Sequence, residues 1–336
     1  MKRRTFLLAG VVLAGLVTTA STVQAEELKT LRFGIISTES TQNLKTNWDP
    51  FLADMEKQLG MPVKAYFAPD YAGIIEAMRF NKVDVAWYGN KSAMEAVDRA
   101  GAEIFAQTVD VEGNPGYWSV LLANKSDDRL NSVDDVLKYA SELSFGNGDP
   151  NSTSGYLVPG YYVFALNHVD PKKAFRRVVN ANHETNALAV ANGQVDVATN
   201  NTENLTFMQR NFPEKFEQVK IIWKSPLIPS DPIAWRKNLS DADKKKIRDF
   251  FLTYGREGDG VEHARAVLKA LQWAPFNASS DDQLLPIRQL ALFKDRVKVE
   301  GDEKLSAEEK AEKLKVIDAE LAQLQQRLAA LDAKQQ

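Results

Sequence analysis

Apolar residues along the chain fall into two alternating spacings. Leu31 to Ile36 has the density of a buried strand and ends at the polar run Ser37-Thr38-Glu39-Ser40. Trp48, Phe51, Leu52, Met55 and Leu59 then recur at helical spacing. Met61 to Phe67 alternates like a strand and closes at Ala68-Pro69-Asp70-Tyr71. Ala72 to Phe80 is a helix, Val83 to Trp87 a short strand, Ser92 to Arg99 a helix and Ile104 to Val109 a strand. After the turn Gly113-Asn114-Pro115-Gly116, Tyr117 to Ala123 is strand-like. A second round follows: helix from Val133 to Tyr139, strand from Leu143 to Phe145, a helix ending at Ala174 to Arg177, a strand at Val178-Val179, helix from Glu184 to Asn192, strand from Val195 to Ala198, helix from Asn204 to Asn211 and strand from Val219 to Trp223. Strands and helices alternating at this spacing predict βαβ units and a mostly parallel sheet.

The two rounds echo each other. Val83-Asp84-Val85-Ala86 and Val195-Asp196-Val197-Ala198 each follow a helix and lead into a polar segment, Tyr88-Gly89-Asn90 and Asn200-Asn201-Thr202. This predicts two α/β lobes of related topology. Strand-like crossings near Tyr117 to Ala123 and Ile222 to Ile228 would join them, and Asp231-Pro232-Ile233-Ala234-Trp235-Arg236 would return the chain to the first lobe. The expected division is 26–120 and 224–300 for the first lobe and 121–223 for the second. Ligands of open α/β sheets bind beyond the carboxyl ends of the strands. Here those ends carry Ser37-Thr38, Asp70-Tyr71, Trp87-Tyr88, Asn147 to Ser154 and Asn200 to Glu203. Ser240 to Tyr254 and Leu285 to Lys294 read as further helices. Over 301–336 the composition shifts to Ala, Glu, Lys, Leu and Gln, and Ile317, Leu321, Leu324, Leu328 and Leu331 form a heptad-like stripe. That amphipathic tail either packs on its own chain or pairs with a second copy, and the pairing is the favoured expectation.

The stretch Gly146-Asn147-Gly148-Asp149-Pro150-Asn151-Ser152-Thr153-Ser154-Gly155-Tyr156 carries the candidate chemistry. It joins a strand to a helix through glycines, a proline and three consecutive hydroxyl residues. The first N–H groups of a helix have no internal partners and carry partial positive charge. With the three hydroxyls beside them, a tetrahedral oxyanion would fit; the alternative reading of the same residues is a helix N-cap and nothing more.

Composition narrows the class. The formal net charge of −3, with scattered basic residues, argues against nucleic acid as a partner. The absence of cysteine rules out disulfides, thiolate chemistry, a lipid-bearing cysteine and Cys-ligated metal. Residues 1–25 read as a signal peptide: Lys2-Arg3-Arg4, the apolar run Phe6 to Val17 and the cleavage-type Val23-Gln24-Ala25. Arg3-Arg4 leaves both the general and the twin-arginine export routes open. No metalloprotease, nucleophile-elbow or phosphate-loop pattern is present, and the three histidines, His168, His183 and His263, lack ligand spacing, so neither catalysis nor a cofactor is expected.

From Leu31 to Lys294 the sequence resembles the periplasmic phosphonate-binding proteins of ABC-type importers. The blocks carrying the resemblance are Phe33 to Ser40, Phe67 to Ile75, Val83 to Arg99, Pro115 to Val120, Phe145 to Val163, His183 to Leu205 and Trp223 to Asn238. The resemblance implies the type II periplasmic-binding fold, with two interlobe crossovers and a ligand in the cleft, and a permease in the inner membrane as partner. It assigns Ser152, Thr153, Ser154 and His183 to the phosphonate group, and Glu203, Asp231, Tyr71 and Tyr117 to an ammonium. Tyr88 is assigned to the cleft wall. Two acids opposite an anion pocket suit a zwitterion, so 2-aminoethylphosphonate is the expected ligand. Phosphate, phosphite or methylphosphonate is the alternative, and a sensory module of the same fold a third.

Overall fold

The computed structural model describes residues 27–335; the expected signal peptide lies outside them. Thirteen strands run in chain order: β1 (Leu31–Ile35), β2 (Val63–Phe67), β3 (Val85–Trp87), β4 (Ala102–Asp110), β5 (Gly116–Tyr117), β6 (Ser119–Asn124), β7 (Ser144–Asn147), β8 (Arg177–Asn180), β9 (Val197–Asn201), β10 (Val219–Lys224), β11 (Ile228–Pro229), β12 (Pro232–Arg236) and β13 (Trp273–Ala278). They form two main sheets, ordered β13-β4-β12-β3-β1-β2 and β10-β6-β9-β7-β8. Each sheet has helices on its faces and makes one lobe. Parallel pairing is confined to β2-β1-β3 and β8-β7-β9; the remaining pairs are antiparallel. The sheets are therefore mixed rather than mostly parallel, because the strands entering and leaving each lobe run back against its βαβ core.

The repeated Val-Asp-Val-Ala segments occupy equivalent places. Phe33 pairs with Val85 as Phe145 pairs with Val197. Both aspartates reach back to the neighbouring strand: Arg32 N donates to Asp84 Oδ2 at 2.9 Å, and Ser144 N to Asp196 Oδ2 at 2.7 Å. Asp84 is fully buried and also receives Arg32 Nη2 at 2.7 Å and Arg236 Nε at 2.8 Å, which hold its carboxyl below the usual range despite burial.

Each lobe has its own core. The first is aromatic, with Phe33 stacked on Phe251 and Phe51 edge-on to Tyr254. In the second, Phe145 stacks on Phe175 with centroids 4.8 Å apart. A chain without disulfides needs such cores to offset the entropy of ordering.

The expected crossings are each split. β5 pairs with β11 as a two-stranded ribbon between the lobes, whereas β6 and β10 lie inside the second sheet. Gly116 permits the close pairing: a Cβ there would sit 1.9 Å from the Ile228 carbonyl oxygen. The helix Leu285–Glu300 adds a strap across the lobes. Its Arg288 binds Asp98 of the first lobe, and its Phe293 stacks on Tyr161 of the second. The tail helix Ala307–Gln335 folds back along this strap, burying Leu321 and Leu324, and Arg296–Asp318 and Arg327–Asp282 pairs at 2.9 Å fix its position. The middle of the apolar stripe is thus engaged within the chain.

Candidate functional site

Six helices start at the cleft, three from each lobe, because each follows a parallel strand of the two βαβ cores. In the first lobe they are Thr41–Leu59, Tyr71–Arg79 and Asn90–Arg99. In the second they are the helical run beginning at Thr153, then His183–Ala191 and Thr202–Asn211.

The loop Gly148 to Ser152 is built for the first of the second-lobe helices. Gly148 N donates to Gly155 O at 3.0 Å, and a Cβ on Gly148 would stand 2.5 Å from the Gly155 backbone, so the closed turn needs glycine there. Ser152 caps the helix, its Oγ accepting from Gly155 N at 2.9 Å. The first turns are wide: Leu157 N reaches back five residues to Ser152 O. This leaves the early N–H groups open toward the cleft. Ser154 Oγ accepts from Asn201 Nδ2 at 3.1 Å, and Thr153 Oγ accepts from Lys91 N at 2.8 Å, so both hydroxyl hydrogens remain available to donate. His183 Nε2 lies 3.4 Å from both Ser152 Oγ and Ser154 Oγ. Burial lowers the His183 pKa to about 4, and its Nδ1 has no partner among the described residues. This end of the cavity is a neutral, donor-rich cradle.

The other end is acidic. Glu203 stands in the first turn of Thr202–Asn211, and Asp231 immediately precedes β12. Tyr117 Oη donates to Asp231 Oδ1 at 2.9 Å. Burial raises the Glu203 pKa to about 7, with Asp110 adding repulsion and the Trp273 indole partly opposing it. Asp231 is pushed well upward by burial and by the charge of Glu203. Tyr71 and Tyr117 are buried on the same cavity, and both phenols are held protonated by burial and the acids around them.

One cavity between the lobes is therefore lined by Ser152, Thr153, Ser154, His183, Glu203, Asp231, Tyr71 and Tyr117 together. Tyr88 is placed elsewhere. It is fully buried in the first lobe, with its hydroxyl on Ile74 O at 3.3 Å. Consecutive residues at a strand end face opposite ways, and Trp87 is the one that lines the cleft. Trp48, Trp87 and Trp273 form an aromatic wall, with ring centroids 5.3 to 5.8 Å apart. Glu39 is a further acid on the cavity, carrying no assigned role from sequence. It is buried, and burial and Glu184 raise its pKa to about 7 against the pull of Arg210.

Residues 33–284 match the family model of the periplasmic substrate-binding protein of ABC phosphonate transporters. The "Phosphonates-binding periplasmic protein" of Escherichia coli (strain K12) is 61% identical over 308 residues, covering 92% of this chain and 89% of that protein. This chain belongs to that family. It is the periplasmic phosphonate-binding component of an ABC transporter, which binds a ligand for a permease and is not an enzyme. The crystal structure of a binding protein component of an ABC phosphonate transporter from Pseudomonas aeruginosa has the same fold, with a TM-score of 0.87 and 63% identity over 90% of this chain and 99% of that one. More distant is the "Phosphate-import protein PhnD" of Mycolicibacterium smegmatis, 30% identical over 66% of this chain and 71% of that protein. The cavity brings hydroxyl and imidazole groups of Ser152, Thr153, Ser154 and His183 and the acids Glu203 and Asp231 to one lining.

Proposed function

We propose that this protein captures 2-aminoethylphosphonate, with Ser152, Thr153, Ser154 and His183 on the phosphonate and Glu203, Asp231, Tyr71 and Tyr117 around the ammonium. The observation that carries this reading is the acid pair. Two carboxylates on the cavity, Asp231 buried and Glu203 half-buried, are pushed toward protonation and would be relieved by an ammonium, and charge-assisted hydrogen bonds in a closed cleft give both affinity and orientation. The short alkyl link fits against the aromatic wall of Trp48, Trp87 and Trp273. A ligand that gains contacts to both lobes favours the closed form, which then docks on the permease. Export by residues 1–25 would deliver the mature chain to the periplasm, through the general or the twin-arginine route.

Titration calorimetry on refolded protein tests the ligand. Tight binding of 2-aminoethylphosphonate with weak binding of methylphosphonate and phosphate is expected. The Glu203→Gln variant should lose far more affinity for the amino compound than for methylphosphonate, and equal losses would overturn the assigned roles. A second reading takes another phosphorus oxyanion as ligand, supported by the name of the mycobacterial relative. Preference of the wild-type protein for phosphate or methylphosphonate would select it.

A further inference from the structure

The first-lobe helices offer the same unpaired N–H groups to the cleft as those of the second lobe. All three are met by acceptors from the opposite lobe. At Thr41–Leu59, Ser40 N donates to Glu184 Oε1 at 3.3 Å and Asn43 Nδ2 to Glu184 Oε2 at 2.6 Å. At Tyr71–Arg79, Tyr71 N donates to Asp149 Oδ2 at 3.1 Å. At Asn90–Arg99, Lys91 N donates to Thr153 Oγ at 2.8 Å. The first two helices already carry local caps, Ser40 on Asn43 N and Asp70 on Gly73 N. Their interlobe acceptors are therefore additions, not substitutes, for capping.

We propose that Asp149, Glu184 and Thr153 form a latch that holds the lobes closed over the ligand, with Asp149 and Glu184 as positioning residues that slow its release. The reasoning is one of adjacency. Asp149 and Thr153 flank the cradle residue Ser152, and Glu184 follows His183 directly. The segments that grip the anion and the segments that grip the first lobe are thus the same two segments, facing opposite ways. Asp149 also fixes the cradle: its Oδ1 accepts from Asn151 N at 2.7 Å and its carbonyl from Ser152 N at 2.8 Å. An anion that orders Ser152 to Ser154 and His183 therefore orders the latch. A latch in place keeps Tyr71, the residue whose N–H it holds, against the cavity. This rests on the reading that the ligand anion sits on Ser152 to Ser154 and His183.

Asp149→Asn and Glu184→Gln keep the side-chain shape and remove the charge. With 2-aminoethylphosphonate as probe, stopped-flow fluorescence of the cleft tryptophans should show dissociation faster by about tenfold for each variant and about a hundredfold for the pair. For Glu184→Gln the association rate and the melting temperature of the empty protein should stay near wild type, while Asp149→Asn, which also touches the cradle at Asn151 N, is judged on dissociation. Asn43→Ala removes the first-lobe partner of Glu184. It should speed release as Glu184→Gln does and combine with it less than additively. Because the chain has no cysteine, Lys57→Cys and Glu214→Cys place one spin label on each lobe at exposed positions. Electron–electron distances at saturating ligand should shift to longer values in the double variant. Unchanged dissociation and unchanged distances in the double variant would overturn the latch. So would an effect confined to association or to the melting temperature. If the wild-type protein fails to bind the phosphonate, the functional reading falls instead, so the two failures are distinct.

Discussion

Binding of an aminoalkyl phosphonate should expel a proton from the cleft, and binding of methylphosphonate should not. Without ligand Glu203 is raised to about 7 by burial and by Asp110, and Asp231 is raised by burial and by the charge of Glu203. An ammonium placed between them favours their charged forms, so the pair must give up a proton as the ligand enters. The sign follows directly. A carboxylate whose pKa is high in the empty state and lower in the complex makes affinity rise as pH rises through about 7. For one proton and a group titrating there, lowering the pH from 8 to 6 should weaken 2-aminoethylphosphonate about tenfold, or about 1.4 kcal/mol. The low pKa of His183 contributes to both ligands alike; the second ionisation of the phosphonate differs between them, because the ammonium of the amino compound lowers it, so each free ligand is titrated and its own protons subtracted from the count. Calorimetry at each pH, in buffers of low and high ionisation enthalpy, counts the protons. Equal proton counts for the two ligands, or an affinity for the amino compound that falls with rising pH, would refute the placing of the ammonium against this pair.

Replacing Glu203 by Gln should also stabilise the empty protein. A carboxyl raised from 4.5 to about 7 opposes folding at pH 8 by about 3 kcal/mol, so the melting temperature should rise at pH 8 and converge with wild type below pH 4.5. Gly148→Ala would drive a Cβ into the Gly155 backbone. Affinity for every phosphonate should fall at least about tenfold by calorimetry, with no change in their ranking. Asp84→Asn removes the buried carboxylate that the part-exposed Arg32 and Arg236 donate to, and should cost about 2 kcal/mol in urea unfolding. Ser152→Ala removes a helix cap as well as a ligand donor. Its loss of about 1 kcal/mol in stability should be measurable without ligand.

What was legible in the sequence was local. Glycines, a proline and hydroxyls packed between a strand and a helix gave away the cradle at 146–156, because a helix start of that kind is written in adjacent residues. The Val-Asp-Val-Ala repeat exposed the two lobes because its aspartates do the same backbone work in each. Facing at a strand end was not legible. Tyr88 and Trp87 are neighbours in a segment only three residues long, too short for alternation to fix which side meets the cleft. β13 escaped because Pro275 interrupts it and its pairing with β4 shifts register. The parts of Glu39 and Glu184 in the cleft could not be read from the chain at all. Glu184 meets Ser40 and Asn43 across more than 140 positions, and only the meeting of the lobes puts them together.

The near-symmetry of the lobes leaves a question of why the anion should belong to the second. Both present three helix N-termini to one cleft, and a helix N-terminus attracts negative charge whichever lobe supplies it. The difference lies in what stands nearby. In the second lobe the side chains of Ser152, Ser154 and His183 have no carboxylate among their hydrogen-bond partners, and the Asp149 carboxylate beside them is turned to Asn151 N and Tyr71 N. In the first lobe two of the three N-termini already receive carboxylates, from Glu184 and Asp149, and the third a hydroxyl. A phosphonate approaching that side of the closed cleft would meet occupied donors and fixed negative charge. The first lobe instead supplies Asp231 and the tryptophans. Under the proposed reading, filling two of the first lobe's N-termini with the other lobe's acids would favour a zwitterion whose phosphonate sits on Ser152 to Ser154 and whose ammonium lies between Asp231 of the first lobe and Glu203 of the second.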